Sequence, residues 1–323
     1  MNLANPHLKL ALGVGRRLVY YLILLILANF LMYFLVDLAP GDPLASAFVD
    51  PAEVERLGAQ LGLDKPFLER FFIWLGNALT FEFGFSYKLQ LGVSVADMVL
   101  VRFGRTVLLV LVSLTISLAA ALVTSALLKP EGKLGAGLRP VMLVLSALPA
   151  FLLGYWVIQG VNRVVLNLVQ TGFFTESPMW YPLPRLEGGI VPYLFAGIVL
   201  GLGDATFGDL LRGVDQDLAV LSGRRYIHSA RARGASRVKH GLAEISISLV
   251  GLFASRTTFL LGGVVIIEKI FNLEGAGELL WDAALGRDYS VVVCISFLST
   301  LVVIAMAFLA DIYQFLVDPR VRQ

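Results

Sequence analysis

The chain of 323 residues is 57% hydrophobic and 15% charged, with a mean hydropathy of +0.78. That excludes a soluble globular protein, because spans of about 20 apolar residues each take up most of the length and leave one membrane domain. A formal charge of +2 is too small to indicate nucleic-acid binding, so the placement of the basic residues matters more than their sum. Cys294 is the single cysteine, which rules out an internal disulfide and a cysteine-rich metal site and predicts a small packing residue.

Arg16 and Arg17 followed by the apolar run Leu18 to Val36 imitate a secretory leader, and Ala45-Ser46-Ala47 offers a cleavage sequence. The run, at about 19 residues, is longer than a leader's apolar core, and the cleavage sequence lies well past its end. A retained first span is expected, preceded by a cytoplasmic segment at 1–17. Six transmembrane helices are predicted within a single domain at 18–323: Leu18 to Val36, Val107 to Leu128, Val141 to Val161, Val191 to Leu211, Ile245 to Ile267 and Val291 to Phe315. Helices are required because only they satisfy their own backbone polar groups in lipid. Lys9, Arg16, Arg17, Lys129, Lys133 and Arg139 lie in alternate loops, as do the seven basic residues from Arg212 to Lys239 and the pair Arg320 and Arg322. The positive-inside rule therefore puts both termini in the cytoplasm.

The first external loop, residues 38–104, is too long for a plain connection. Asp50-Pro51-Ala52-Glu53 reads as a helix start, Val54, Leu57 and Leu61 follow at helical spacing, and Gly62 is a stop. A second amphipathic stretch, Pro66 to Leu79, presents Phe67, Phe71, Trp74 and Ala78 on one side. With Phe81, Phe83, Phe85 and Tyr87 it suits the outer membrane interface, either as a lid or as a contact for a partner. No internal repeat is visible, and Gly197-x-x-x-Gly201 allows close helix approach.

A phosphate-binding loop is missing, since Gly132-Lys133 is followed by leucine, and the histidines are confined to His7, His228 and His240. That argues against an ATP site, a buried histidine metal site or an intramembrane enzyme on this chain. Between the fourth and fifth spans, residues 212–244 hold a basic stretch interrupted by Gly234, where two short helices at an angle would form a knob. Arg231, Arg233, Arg237 and Lys239 could pair there with acidic groups of a soluble partner, or with anionic membrane lipid.

Tyr226, Ile227, Ala230, Arg231, Ala232 and Gly234 match the docking signature of ABC importer permeases, in the form found in their dipeptide, oligopeptide and nickel branch. Pro40-Gly41-Asp42-Pro43, Leu61 to Pro66, Trp74 to Asn77, Phe83 to Ser86, Leu148 to Phe151, Glu268 to Asn272, Gly275-Ala276-Gly277, Arg287-Asp288-Tyr289 and Asp318-Pro319-Arg320 extend the likeness along nearly the whole chain. The chain thus resembles a B-type inner-membrane subunit of that family. The resemblance implies an all-α integral membrane fold with an ABC importer permease-like bundle in a prokaryotic inner membrane. It implies ATPase docking through Arg225, Tyr226, Ile227, Ala230, Arg231, Ala232, Arg233, Gly234, Ala235 and Ser236. Its implied partners are a second homologous permease subunit, two ABC ATPase subunits that carry ATP and Mg, and an extracytoplasmic substrate-binding protein; no cofactor is expected on this chain.

The family pattern carries arginine where Asp209 stands, an uncharged polar residue where Arg256 stands, and a proline after the docking loop that this chain lacks. Asp204, Asp209 and Arg256 are candidates for the translocation pathway, because charges within spans line water or a protein interior. The bland alternative is an ion pair, for instance Asp204 with Arg256. The competing function is an ATP-independent channel or secondary transporter, and a third is a structural membrane scaffold.

Overall fold

A computed structural model describes residues 6–39, 58, 65–129, 132–174, 178, 181–183, 190–223 and 237–317. Among them lie ten helices: α1 (Pro6–Asp37), α2 (Phe67–Leu79), α3 (Val95–Leu127), α4 (Lys133–Ser146), α5 (Ala150–Gln170), α6 (Val191–Leu202), α7 (Thr206–Gly223), α8 (Arg237–Phe271), α9 (Ala276–Gly286) and α10 (Tyr289–Val317). Long apolar stretches in α1, α3, α5, α8 and α10 can cross a membrane. α6 and α7, bent by 54° to each other, are together long and apolar enough to make a sixth span. The chain is an all-helical membrane protein.

The second, third and fourth spans differ from those expected. The second span starts earlier than Val107, because α3 begins at Val95. Asp97, Arg102 and Arg105 lower the hydropathy there, but Val95, Val99 and Phe103 recur at helical spacing and are buried. Ser94 Oγ accepts a hydrogen bond from the Asp97 amide at 3.5 Å and so marks the helix start. The third span is Ala150–Gln170 rather than 141–161. Pro149 has no amide hydrogen and disfavours helical backbone before it, so the helix stops at Ser146 and restarts at Ala150. Asn162 breaks the apolar pattern but not the helix, because its side-chain amide bonds the backbone N–H and C=O of Leu183 at 2.8 and 2.7 Å. The fourth span is interrupted at 203–205 instead of running unbroken from 191 to 211. The helix expected from Asp50 onward lies outside the described residues.

The chain divides into two compact units, Met1–Gly15 with Val107–Leu273 and Ala305–Gln323, and Arg16–Thr106 with Glu274–Ile304. In the second unit, α2 occupies the stretch expected at 66–79 and buries Phe71 and Ala78. Phe30 of α1 stands edge-on to Phe67 and Phe71, at 5.6 and 5.2 Å between ring centres. Trp74 lies 5.1 Å from Tyr33 and 6.0 Å from Phe297. Each such pair adds about 0.5–1.5 kcal/mol beyond the area it buries. Arg70 of α2 forms an ion pair with Asp37 at the end of α1, at 2.7 Å.

The first unit is built on α3, α5, α6 and α8, whose Leu114, Ile158, Leu200, Leu260 and Phe271 share one buried apolar cluster. A second cluster joins Ala121 of α3 to Phe207, Leu210 and Leu211 of α7. Gly201 permits close approach of α6 to α3, since a Cβ there would stand 2.5 Å from the Ser113 carbonyl oxygen. The other glycine of that motif is looser: a Cβ at Gly197 would meet its nearest neighbour at 3.6 Å.

Candidate functional site

Two helix breaks meet in the first unit. Pro149 caps α5 without a side-chain hydrogen bond, while Gly203, Asp204 and Ala205 separate α6 from α7. Asp204 and Ala205 adopt left-handed backbone, with φ of +50° and +59°, which non-glycine residues reach only at a cost of about 1–2 kcal/mol each. Bonds between the two breaks offset that cost. The Asp204 amide donates to Leu148 O at 3.0 Å and the Ala205 amide to Ser146 O at 2.6 Å. Asp204 Oδ1 in turn accepts the Ala150 amide at 2.9 Å, placing a carboxylate at the positive end of α5. These bonds satisfy backbone groups that the two breaks would otherwise leave unpaired.

The charged residues do not pair as expected. Arg256 of α8 binds Asp209 and not Asp204, because Asp204 is turned to the start of α5 and Asp209 lies in the first turn of α7. Asp209 also binds Arg212, and the Arg256 guanidinium stands 5.5 Å from the centre of the Phe259 ring. Two of the three candidate pathway residues thus contact each other. The Arg256 side chain is 19% exposed and that of Asp209 25%, so the pair is shielded without being sealed. The candidate docking residues at 225–236 lie outside the described residues, between α7 and α8. α7 itself continues to Gly223, so the first part of the stretch expected as a docking loop from 212 is helical.

A further ion pair ties α4 to α7. Arg139 of α4 binds Asp215 of α7 and donates from Nε to Leu128 O, and its Nη2 reaches Thr124 O at 3.4 Å. Ser125 Oγ donates to Asp215 Oδ1 at 2.7 Å. Arg139 is buried, and its bonds to carbonyls at the end of α3 place a cation at the negative pole of that helix. The sequence reading counted Arg139 only as loop charge and passed over Asp215. The available signal was that Asp215 continues the buried stripe of Phe207, Leu211 and Val214 as a charge on an apolar face.

In the second unit, two motifs far apart in sequence interlock. Asp288 Oδ2 accepts from Ser86 Oγ at 2.5 Å and from the Lys88 and Leu89 amides at 3.2 Å each. Tyr87 Oη accepts the Tyr289 amide at 2.7 Å, capping α10 in return. Burial raises the Tyr87 pKa well above that of an ordinary phenol, which keeps the hydroxyl protonated. The likeness of Phe83 to Ser86 and of Arg287 to Tyr289 to family motifs thus corresponds to one physical joint.

Residues 113–323 match the family described as "Binding-protein-dependent transport system inner membrane component". The chain is 30% identical over 325 residues to the oligopeptide transport system permease protein AppB of Bacillus subtilis, covering 97% of this chain and 99% of that one. It is 28% identical over 329 residues to a putative peptide permease protein of Brucella suis, with 97% of each covered. It is 29% identical over 318 residues to the glutathione transport system permease protein GsiC of Escherichia coli, covering 96% of this chain and 98% of that protein. A match of that extent, on an all-helical membrane fold with a broken fourth span, makes this chain a member of the binding-protein-dependent transport system inner membrane component family, a permease subunit of an ABC transporter.

Proposed function

We propose that this permease subunit imports peptides or similar small polar solutes by alternating access. The observation that carries the reading is the near end-to-end match to permeases named for oligopeptide and glutathione transport. Its working complex contains a second homologous permease subunit, two ABC ATPases in the cytoplasm and a binding protein outside. ATP and Mg bind the ATPases, and this chain carries out no catalysis. Both of its termini face the cytoplasm. Nucleotide state biases the helices from one side and the loaded binding protein from the other, so the two act on a single equilibrium.

The ATPases dock on Arg225 to Ser236, where the basic side chains meet acidic groups and Gly234 sets the angle between two short helices. Asp209 of the broken span and Arg256 of α8, both partly exposed, meet the charged ends of a zwitterionic solute. Asp204 acts beside them as the carboxylate that fixes the start of α5. The test is Gly234→Val. It should leave membrane insertion intact while co-purification of the ATPases falls, or hydrolysis continues without transport. Assembly and uptake at the parental rate would remove the docking role from this segment.

A further inference from the structure

The bonds of α4 and α7 divide between two places. At one end, the break before α7 is fastened to the break after α4, through the Asp204 and Ala205 amides on Leu148 and Ser146. Packing there leaves no spare room: a Cβ on Gly203 would lie 2.9 Å from Ala150 Cα, and one on Gly208 would lie 2.7 Å from Ser146 Oγ. About halfway along both helices, Asp215 of α7 is held by Arg139 of α4 and by Ser125 of α3. The N-terminal turn of α4 also packs on the segment that follows α3, since a Cβ at Gly135 would fall 2.0 Å from the Lys129 carbonyl oxygen.

Two helices fastened at two places along their length, at their facing ends and at their midpoints, behave as one body, and helix breaks are where backbone angles absorb rotation. Both breaks of this unit lie at the same joint. We propose that α4 and α7 form a single lever that turns about the paired breaks at 147–149 and 203–205, with Arg139 and Asp215 as the positioning residues that make α4 follow α7. Force reaching the end of α7 then also changes the angle between α4 and α5. Without the ion pair, α7 turns alone and the force on α4 is lost. The strut stands on contacts within this chain; its use in transport rests on the reading that ATPases dock just beyond α7.

Spin labels test both parts in the assembled transporter with Cys294→Ser. Leu138 on α4, Val220 on α7 and Val164 on α5 are exposed and accept cysteine without disturbing the core. Without nucleotide, the 138–220 pair should give one narrow distance distribution, which Asp215→Asn broadens at least about twofold and Asp215→Glu largely restores. An equally narrow distribution in Asp215→Asn would overturn the strut. With ATP and vanadate, the 138–164 distance should shift by about a helical turn, roughly 5 Å, while 138–220 stays constant. A comparable shift in 138–220 would show that α4 and α7 move apart and would sink the lever. A shift in neither pair overturns its role in transport, and the nucleotide-free arm tells that outcome from failure of the strut itself.

Discussion

Asp209 and Arg256 show how residue chemistry sets unequal consequences for two halves of one ion pair. Asp209 has a second cation in Arg212, whereas Asp209 is the one carboxylate bound to Arg256 among the described residues. Arg256→Gln therefore leaves Asp209 compensated. Asp209→Asn leaves a guanidinium in a span without its counter-charge, at a cost of roughly 3 kcal/mol for an arginine at membrane depth. Asp209→Asn is expected to lower the melting temperature of the detergent-solubilised protein more than Arg256→Gln, with the double variant restoring most of the difference. Equal losses from the two single variants would show that Arg212 does not share the charge. The sequence made these residues conspicuous as charges in apolar runs. Their partners were not legible, because a break of three residues turns Asp204 and Asp209 in different directions.

The elements were predictable wherever hydropathy and helical spacing agreed. α2 and α10 fall where expected, while α8 starts at Arg237 rather than Ile245 and ends at Phe271 rather than Ile267, because the membrane-span signal does not register charged terminal turns that remain helical. α4 and α5 were misread as one crossing because both flanks of Pro149 are apolar, and hydropathy carries no information about a missing amide hydrogen. The small-residue motif of α6 was visible too, but its two glycines are not equivalent. Gly201→Ala should destabilise the protein by about 1–3 kcal/mol, the usual cost of overpacking, because its methyl would meet the rigid Ser113 carbonyl. Gly197→Ala meets side chains at ordinary contact distance and should change the melting temperature little. Equal effects would place the close contact of α6 elsewhere.

For the whole molecule, composition alone dictated the membrane class, and loop charge gave an orientation that labelling of single cysteines can read directly. Transport function was legible only through motifs, because neither a broken span nor an ion pair from it to α8 names a function by itself. The joint of Ser86 and Asp288 illustrates the limit, since residues about 200 positions apart form one buried hydrogen-bonded knot that no local pattern announces. An ATP-driven permease and an ATP-independent channel could share this architecture, and energy dependence separates them. The most direct measurement is uptake of a labelled tripeptide into proteoliposomes holding this chain with its co-purified partners, supplied with the binding protein on the outer side. The account predicts accumulation with hydrolysable ATP and background uptake with a non-hydrolysable analogue; equal uptake under both conditions would contradict it.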